Sequence, residues 1–102
     1  MLPSFPDMLT QLVAAPSVSS TSPDIDRSNL RVIEHLANWL NDLGFRTDIM
    51  PLPNRPDKAN LIATLGGEVN DGMGGLVLAG HTDTVPFDEA LWQSDPFTVK
   101  DH

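Results

Sequence analysis

Two side chains in the stretch GGLVLAGHTDTVPF, residues 74–87, are suited to metal chemistry: the imidazole of His81 and, two positions on, the carboxylate of Asp83. A neutral imidazole is a good zinc ligand, and a metal-bound histidine commonly donates its other ring N–H to a carboxylate. That bond fixes the tautomer and raises the basicity of the coordinating nitrogen. If extended backbone persists through Thr82, the two side chains share a face with Cα atoms roughly 6.5–7 Å apart, and both can serve one centre. The same residues also read as a plain strand end whose polar groups are satisfied by local hydrogen bonds. The chain has no cysteine, so any metal site must draw on His, Asp and Glu.

The other chemically capable residues point to ordinary roles. His35 lies among charged residues on a helix face, and His102 is terminal with no ligand pattern beside it. Trp92 and Phe97 either wall a substrate site or pack a loop. Asp95, bound to Pro96, reads as a turn residue. The sequence has no Gly-x-Ser-x-Gly elbow, phosphate loop or dinucleotide fingerprint, which leaves those chemistries without a foothold.

The elements that must position His81 and Asp83 follow from periodicity. Met8, Leu9, Leu12 and Val13 predict a short first helix with Ser4 as cap and Pro16 as stop. A Ser-, Pro- and Asp-rich connection, PSVSSTSPDIDRSN, follows and reads as a loop beside a cleft or domain edge. The second helix is predicted over 28–43, with Leu30, Ile33, Leu36, Ala37, Leu40 and Leu43 on one stripe and Gly44 as the left-handed stop. FRTDIMPLP then alternates as a strand with one buried face does, Phe45, Thr47 and Ile49 opposite Arg46, Asp48 and Met50, and Pro51 and Pro53 mark an edge or an end. NRPDKA reads as a turn, NLIATLGG as a second strand and EVNDGMGG as a loop. LVLAG lacks polar alternation and predicts a strand buried on both faces, with His81 and Asp83 just past its carboxyl end, where ligands gather in α/β sheets. Another strand is expected to begin near Phe97. The order points to an α/β or mixed layered fold.

Length and composition bound the rest. A chain of 102 residues allows one folding unit, and 40% hydrophobic with 20% charged residues is the balance of a globular protein. Six basic against fourteen acidic residues, a net charge of −8, disfavour nucleic acid and anionic membranes as partners and suit solubility or a cationic ligand. No apolar run is long enough to span a bilayer and no secretory leader pattern opens the chain, so a cytoplasmic location is expected.

The stretch LVLAGHTDTVPF resembles the first metal-ligand motif of the zinc-dependent aminoacylase/carboxypeptidase-like metallohydrolases: an apolar strand, Gly-His, a variable residue, then Asp-x-Val-Pro. APSVSS, LGF and ANLIATLGG, together with the longer run HTDTVPFDEALWQSDPF, extend the resemblance from about residue 5 to residue 102, the N-terminal portion of the family's sequence. The resemblance implies that His81 binds one zinc and that Asp83 orients its ring. It also implies a mixed-sheet, helix-flanked zinc-exopeptidase-like catalytic domain, of which residues 1–102 would be an incomplete N-terminal part. The separate, smaller dimerisation domain of the family would be absent.

The implied chemistry is hydrolysis of an N-acyl amino acid amide at two Zn2+ ions, with Co2+ as an alternative metal, in a full-length homodimer. The family's bridging aspartate, glutamate pair, further carboxylate and distal histidine would follow His102. This chain therefore holds one family metal ligand, is expected to be the front part of a longer hydrolase, and is expected to be inactive alone. Two alternatives stand beside this reading: a desuccinylase or dipeptidase with the same metal centre, and a non-catalytic hydrolase-like binding module.

Overall fold

The fold is taken from a computed structural model that describes residues 2–66 and 74–100. Most of the predicted 68–75 loop, the closing Gly67 and His102 lie outside the described residues. Helix α1 spans Phe5–Ala14. Ser4 caps it as expected, its hydroxyl oxygen accepting the Asp7 N–H at 3.3 Å, and Pro6 sits in the first turn, where a missing N–H costs nothing. Ala15 is extended, the backbone that a following proline requires, and the helix stops there.

Helix α2 spans Leu30–Asp42 and buries Val32, Ile33 and Ala37. The predicted stripe holds in its middle, but Leu43 is exposed because the helix has already ended. That end is built by Gly44 at φ +93°: its N–H bonds Asn41 O at 3.0 Å while the Phe45 N–H bonds Leu40 O at 2.9 Å. These are the paired closing bonds of a Schellman turn, which needs a left-handed residue that glycine supplies without steric cost. His35, expected on a solvated face, is instead half-buried and stacked on Trp39 at 5.5 Å between ring centroids.

Strands β1, Arg46–Leu52, and β2, Arg55–Thr64, form an antiparallel hairpin whose turn is Pro53-Asn54. The stretch NRPDKA therefore does not form the expected turn; from Arg55 on it belongs to β2. The proline-aspartate pair imitates a turn because it sits in an irregularity. Pro51 faces Ala59 but Leu52 faces Arg55, so residues 56–58 have no partner opposite. Elsewhere in β2 the period of two holds, but in β1 it does not: Thr47 is half-buried, whereas Ile49, expected on the same buried face, is 42% exposed, and the other residues of the strand are exposed too. Both strands pack on α2, and Ala59, Leu61 and Ala63 of β2 are buried or half-buried, Ala59 at 3% exposure.

The connection 15–29 is fastened to this scaffold by charge. Asp26, its side chain 5% exposed, bonds Lys58 Nζ at 2.7 Å, Arg55 at 2.6 Å and the Ser20 N–H at 2.9 Å. Lys58, the Ser20 N–H and Arg55 hold the Asp26 carboxyl far below the usual carboxylate range. Asp57, paired with Arg55 at 3.0 Å, is lowered as well. The Ser28 hydroxyl donates to Asp57 O, which adds a second tie to β2.

The LVLAG segment overturns an expectation. Residues 76–80 form no strand, and Leu76, Val77 and Leu78 are 84–89% exposed. A strand exists only by pairing, and the sole sheet among the described residues is the two-stranded hairpin, which leaves this segment without a partner. Residues 97–100 likewise form no strand. The result is a mixed helix-and-strand unit, compatible with the α/β class.

Candidate functional site

His81 and Asp83 meet as their spacing predicted, although no strand carries them. His81 Nδ1 lies 2.8 Å from Asp83 Oδ1 and 3.2 Å from Asp83 O. Both side chains are largely exposed, 83% and 57%. With Nδ1–H donating to the carboxylate, Nε2 is the nitrogen left to act as an acceptor or a ligand.

The backbone beneath the pair is set by the loop after α1. Val18 and Thr84 form an isolated parallel bridge, with the Ser19 N–H bonding Thr84 O at 3.0 Å and the Thr84 N–H bonding Ser17 O at 3.1 Å. Ser17 Oγ donates to Thr82 O at 2.7 Å. Asn29 Nδ2 reaches Thr82 Oγ1 at 3.5 Å and also donates to Ala59 O at 2.9 Å, while Asn29 Oδ1 accepts the Ala59 N–H at 2.9 Å. The motif is thus suspended between the first loop and the start of α2. Ser17, Asn29, Thr82 and Thr84 were not singled out in the sequence; the polar Ser-rich run signalled only a loop.

Beside His81 opens an apolar groove of about 630 Å3, walled by Leu12 and Val13 of α1, Val32 and Leu36 of α2, and Phe87 and Trp92. Phe87 is the hub of an aromatic cluster, edge-on to Trp92 at 6.1 Å and to Phe97 at 5.5 Å. Trp92 and Phe97 therefore each pack against Phe87 and line the groove at once. Asp95 does act as a turn residue, accepting the Phe97 N–H at 3.0 Å and the Thr98 hydroxyl at 2.9 Å; these bonds lower its pKa.

Among the described residues, no three His, Asp or Glu side chains are grouped to hold a metal ion. The His81–Asp83 pair fits a single ligand position: an exposed imidazole with one nitrogen oriented by a carboxylate and the other directed away from it. Among the described residues, no helix is long and apolar enough to cross a membrane.

No family model matches the chain. Individual relatives do. It is 56% identical over 98 residues to an acetylornithine deacetylase of Pasteurella multocida, a match covering 96% of this chain and 25% of that protein. Identity is 53% over 98 residues to one of Photorhabdus laumondii, covering 96% and 24%, and 49% over 102 residues to one of Yersinia pseudotuberculosis, covering 99% and 26%. The chain thus spans about a quarter of the length of the curated relatives it matches. Across nearly all of its residues, this chain is similar in sequence to acetylornithine deacetylases, and the resemblance carried by the run from His81 to Phe97 is a resemblance to them.

Proposed function

We propose that this chain is the N-terminal part of a metal-dependent amidohydrolase that cleaves N2-acetylornithine with water to ornithine and acetate, a step of arginine biosynthesis. The observation that carries the reading is the 49–56% identity to acetylornithine deacetylases over nearly the whole chain. The 2.8 Å contact between His81 and Asp83 agrees with it. So does the net charge of −8, which favours approach of a substrate with a cationic amine.

In this reading His81 holds one of two Zn2+ ions, or Co2+, through Nε2. When bound, such ions lower the pKa of water and polarise the scissile carbonyl. Asp83 accepts a hydrogen bond from Nδ1–H, which leaves Nε2 as the coordinating nitrogen and fixes the plane of the ring. The remaining ligands belong to sequence beyond these residues, as does the domain that makes the active protein a homodimer in the cytoplasm. The 102-residue chain alone is expected to turn over no substrate.

The test extends the chain to the length of its relatives and assays hydrolysis of N2-acetylornithine and of succinyl-diaminopimelate, with and without a chelator. Chelator-sensitive cleavage of the first substrate supports the reading. Preference for the second reassigns it to a desuccinylase, and no hydrolysis of either leaves a binding module.

A further inference from the structure

Asp83 is fixed from both sides by a single residue. The peptide units 82–83 and 83–84 define its φ and ψ, and each is bonded to Ser17: the Ser17 hydroxyl donates to Thr82 O at 2.7 Å, and Ser17 O accepts the Thr84 N–H at 3.1 Å. With both dihedrals set, the direction in which the Asp83 side chain leaves the backbone is set too.

Among the described residues, His81 has no comparable support. Its side chain is 83% exposed, and the hydrogen-bonding contacts of its ring run from Nδ1 to Asp83. The orientation of the ring is therefore inherited from Asp83, and that of Asp83 from Ser17.

The burial of Ser17 adds an independent observation. Its whole-residue exposure is 5%, with the apolar Ala15 and Val18 buried nearby, and unlike the equally buried carboxylate of Asp26 it has no ion pair to account for its burial. An alanine would fill such a position without the desolvation cost of a hydroxyl, so the residue type is explained by the bond it makes. Asn29 steadies Thr82 only through its side chain and at the longer distance of 3.5 Å, which does not fix the Asp83 dihedrals.

We propose that Ser17 is the positioning residue of the His81–Asp83 pair: by holding the peptide units on both sides of Asp83 it aims the carboxylate at His81 Nδ1 and leaves Nε2 facing outward. The relevance to catalysis rests on the function proposed above. The positioning itself can be read without metal or substrate.

The experiment is long-range 1H–15N spectroscopy of the histidine rings of the 102-residue chain at pH 8, where the neutral tautomers are distinguished by their ring nitrogens. In the parent chain the Nδ1–H form of His81 predominates, with His35 as internal reference. Ser17→Ala lowers the His81 tautomer ratio roughly 3- to 10-fold, within the effect of one hydrogen bond to a charged group. Ser17→Thr, which keeps the hydroxyl, retains the ratio. Val32→Ala, which removes buried methyl groups without touching Thr82, retains it as well.

A parental ratio in Ser17→Ala overturns the proposal, and so does an equal fall in Val32→Ala, which would mark general loosening. Should Ser17→Ala lose its dispersed amide spectrum, Ser17→Cys, similar in size and a far weaker donor, takes its place in the same comparison. Absence of metal-dependent hydrolysis in the extended protein, with the tautomer results as expected, removes the functional reading and leaves the role of Ser17 standing.

Discussion

At the scale of single residues, His81 and Asp83 divide one task between an exposed ring held by its neighbour's carboxylate and an acid whose flanking peptide units are tied to Ser17. In the extended protein, Asp83→Asn is expected to reduce metal affinity or turnover by about 10- to 100-fold, the usual effect of removing a carboxylate behind a ligating histidine. Isothermal titration with Zn2+ and the acetylornithine assay read the two quantities separately. Both partners were legible in the sequence because i and i+2 on extended backbone share a side, and this needs only local geometry. Ser17 was not legible, because its significance lies in a bond to Thr82, 65 positions along the chain, and nothing in the run PSVSS marks which serine faces inward.

At the scale of elements, the most informative joints are the ends of α2. At its start, Asn29 is not a conventional cap; its side chain makes no capping bond and is spent on both backbone groups of Ala59. Asn29→Ala leaves a buried N–H and C=O without partners, and the expected loss of stability is about 2 kcal/mol or more, seen as a lower urea midpoint. At its finish, Gly44→Ala is expected to cost about 1 kcal/mol in the same measurement. No atom lies within 4 Å of an added Cβ, so that cost is one of backbone conformation.

Glycine after an apolar stripe was readable from the sequence, as was the alternation of β2 from Ala59 to Ala63; the one-sided burial expected of β1 was not, since Ile49 is exposed where, among the described residues, no further element covers that end of the hairpin. The extent of β2 was not, because Pro56 and Asp57 carry turn chemistry inside an unpaired stretch of strand. LVLAG was misread for a different reason: its composition states what environment it suits, while strand formation depends on a partner that local sequence does not supply.

At the scale of the whole molecule, charge and exposed apolar surface set the behaviour in solution. The lowered pKa of Asp26 gives it a stabilising role that is complete above the unfolded carboxylate value of about 4 and is lost as pH falls through the folded value. Urea midpoints of the parent chain should therefore fall between pH 5 and pH 2. Asp26→Asn should start lower at pH 7 and fall less steeply over the same interval. The radius of gyration, 16.2 Å against about 13 Å for a compact domain of this length, reflects an open arrangement in which Leu76, Val77 and Leu78 face solvent. Val77→Lys should reduce concentration-dependent association in sedimentation velocity, since a charge within an exposed apolar run opposes contact between copies. Asn29 also limits how the hairpin can grow. Because its amide occupies the N–H and C=O of Ala59 that face away from β1, a strand arriving along that side of β2 finds the middle already taken. It can bond only from Leu61 onward, so its alignment is dictated before it docks, and sliding by two residues toward the turn is blocked by a side chain acting as a permanent stop.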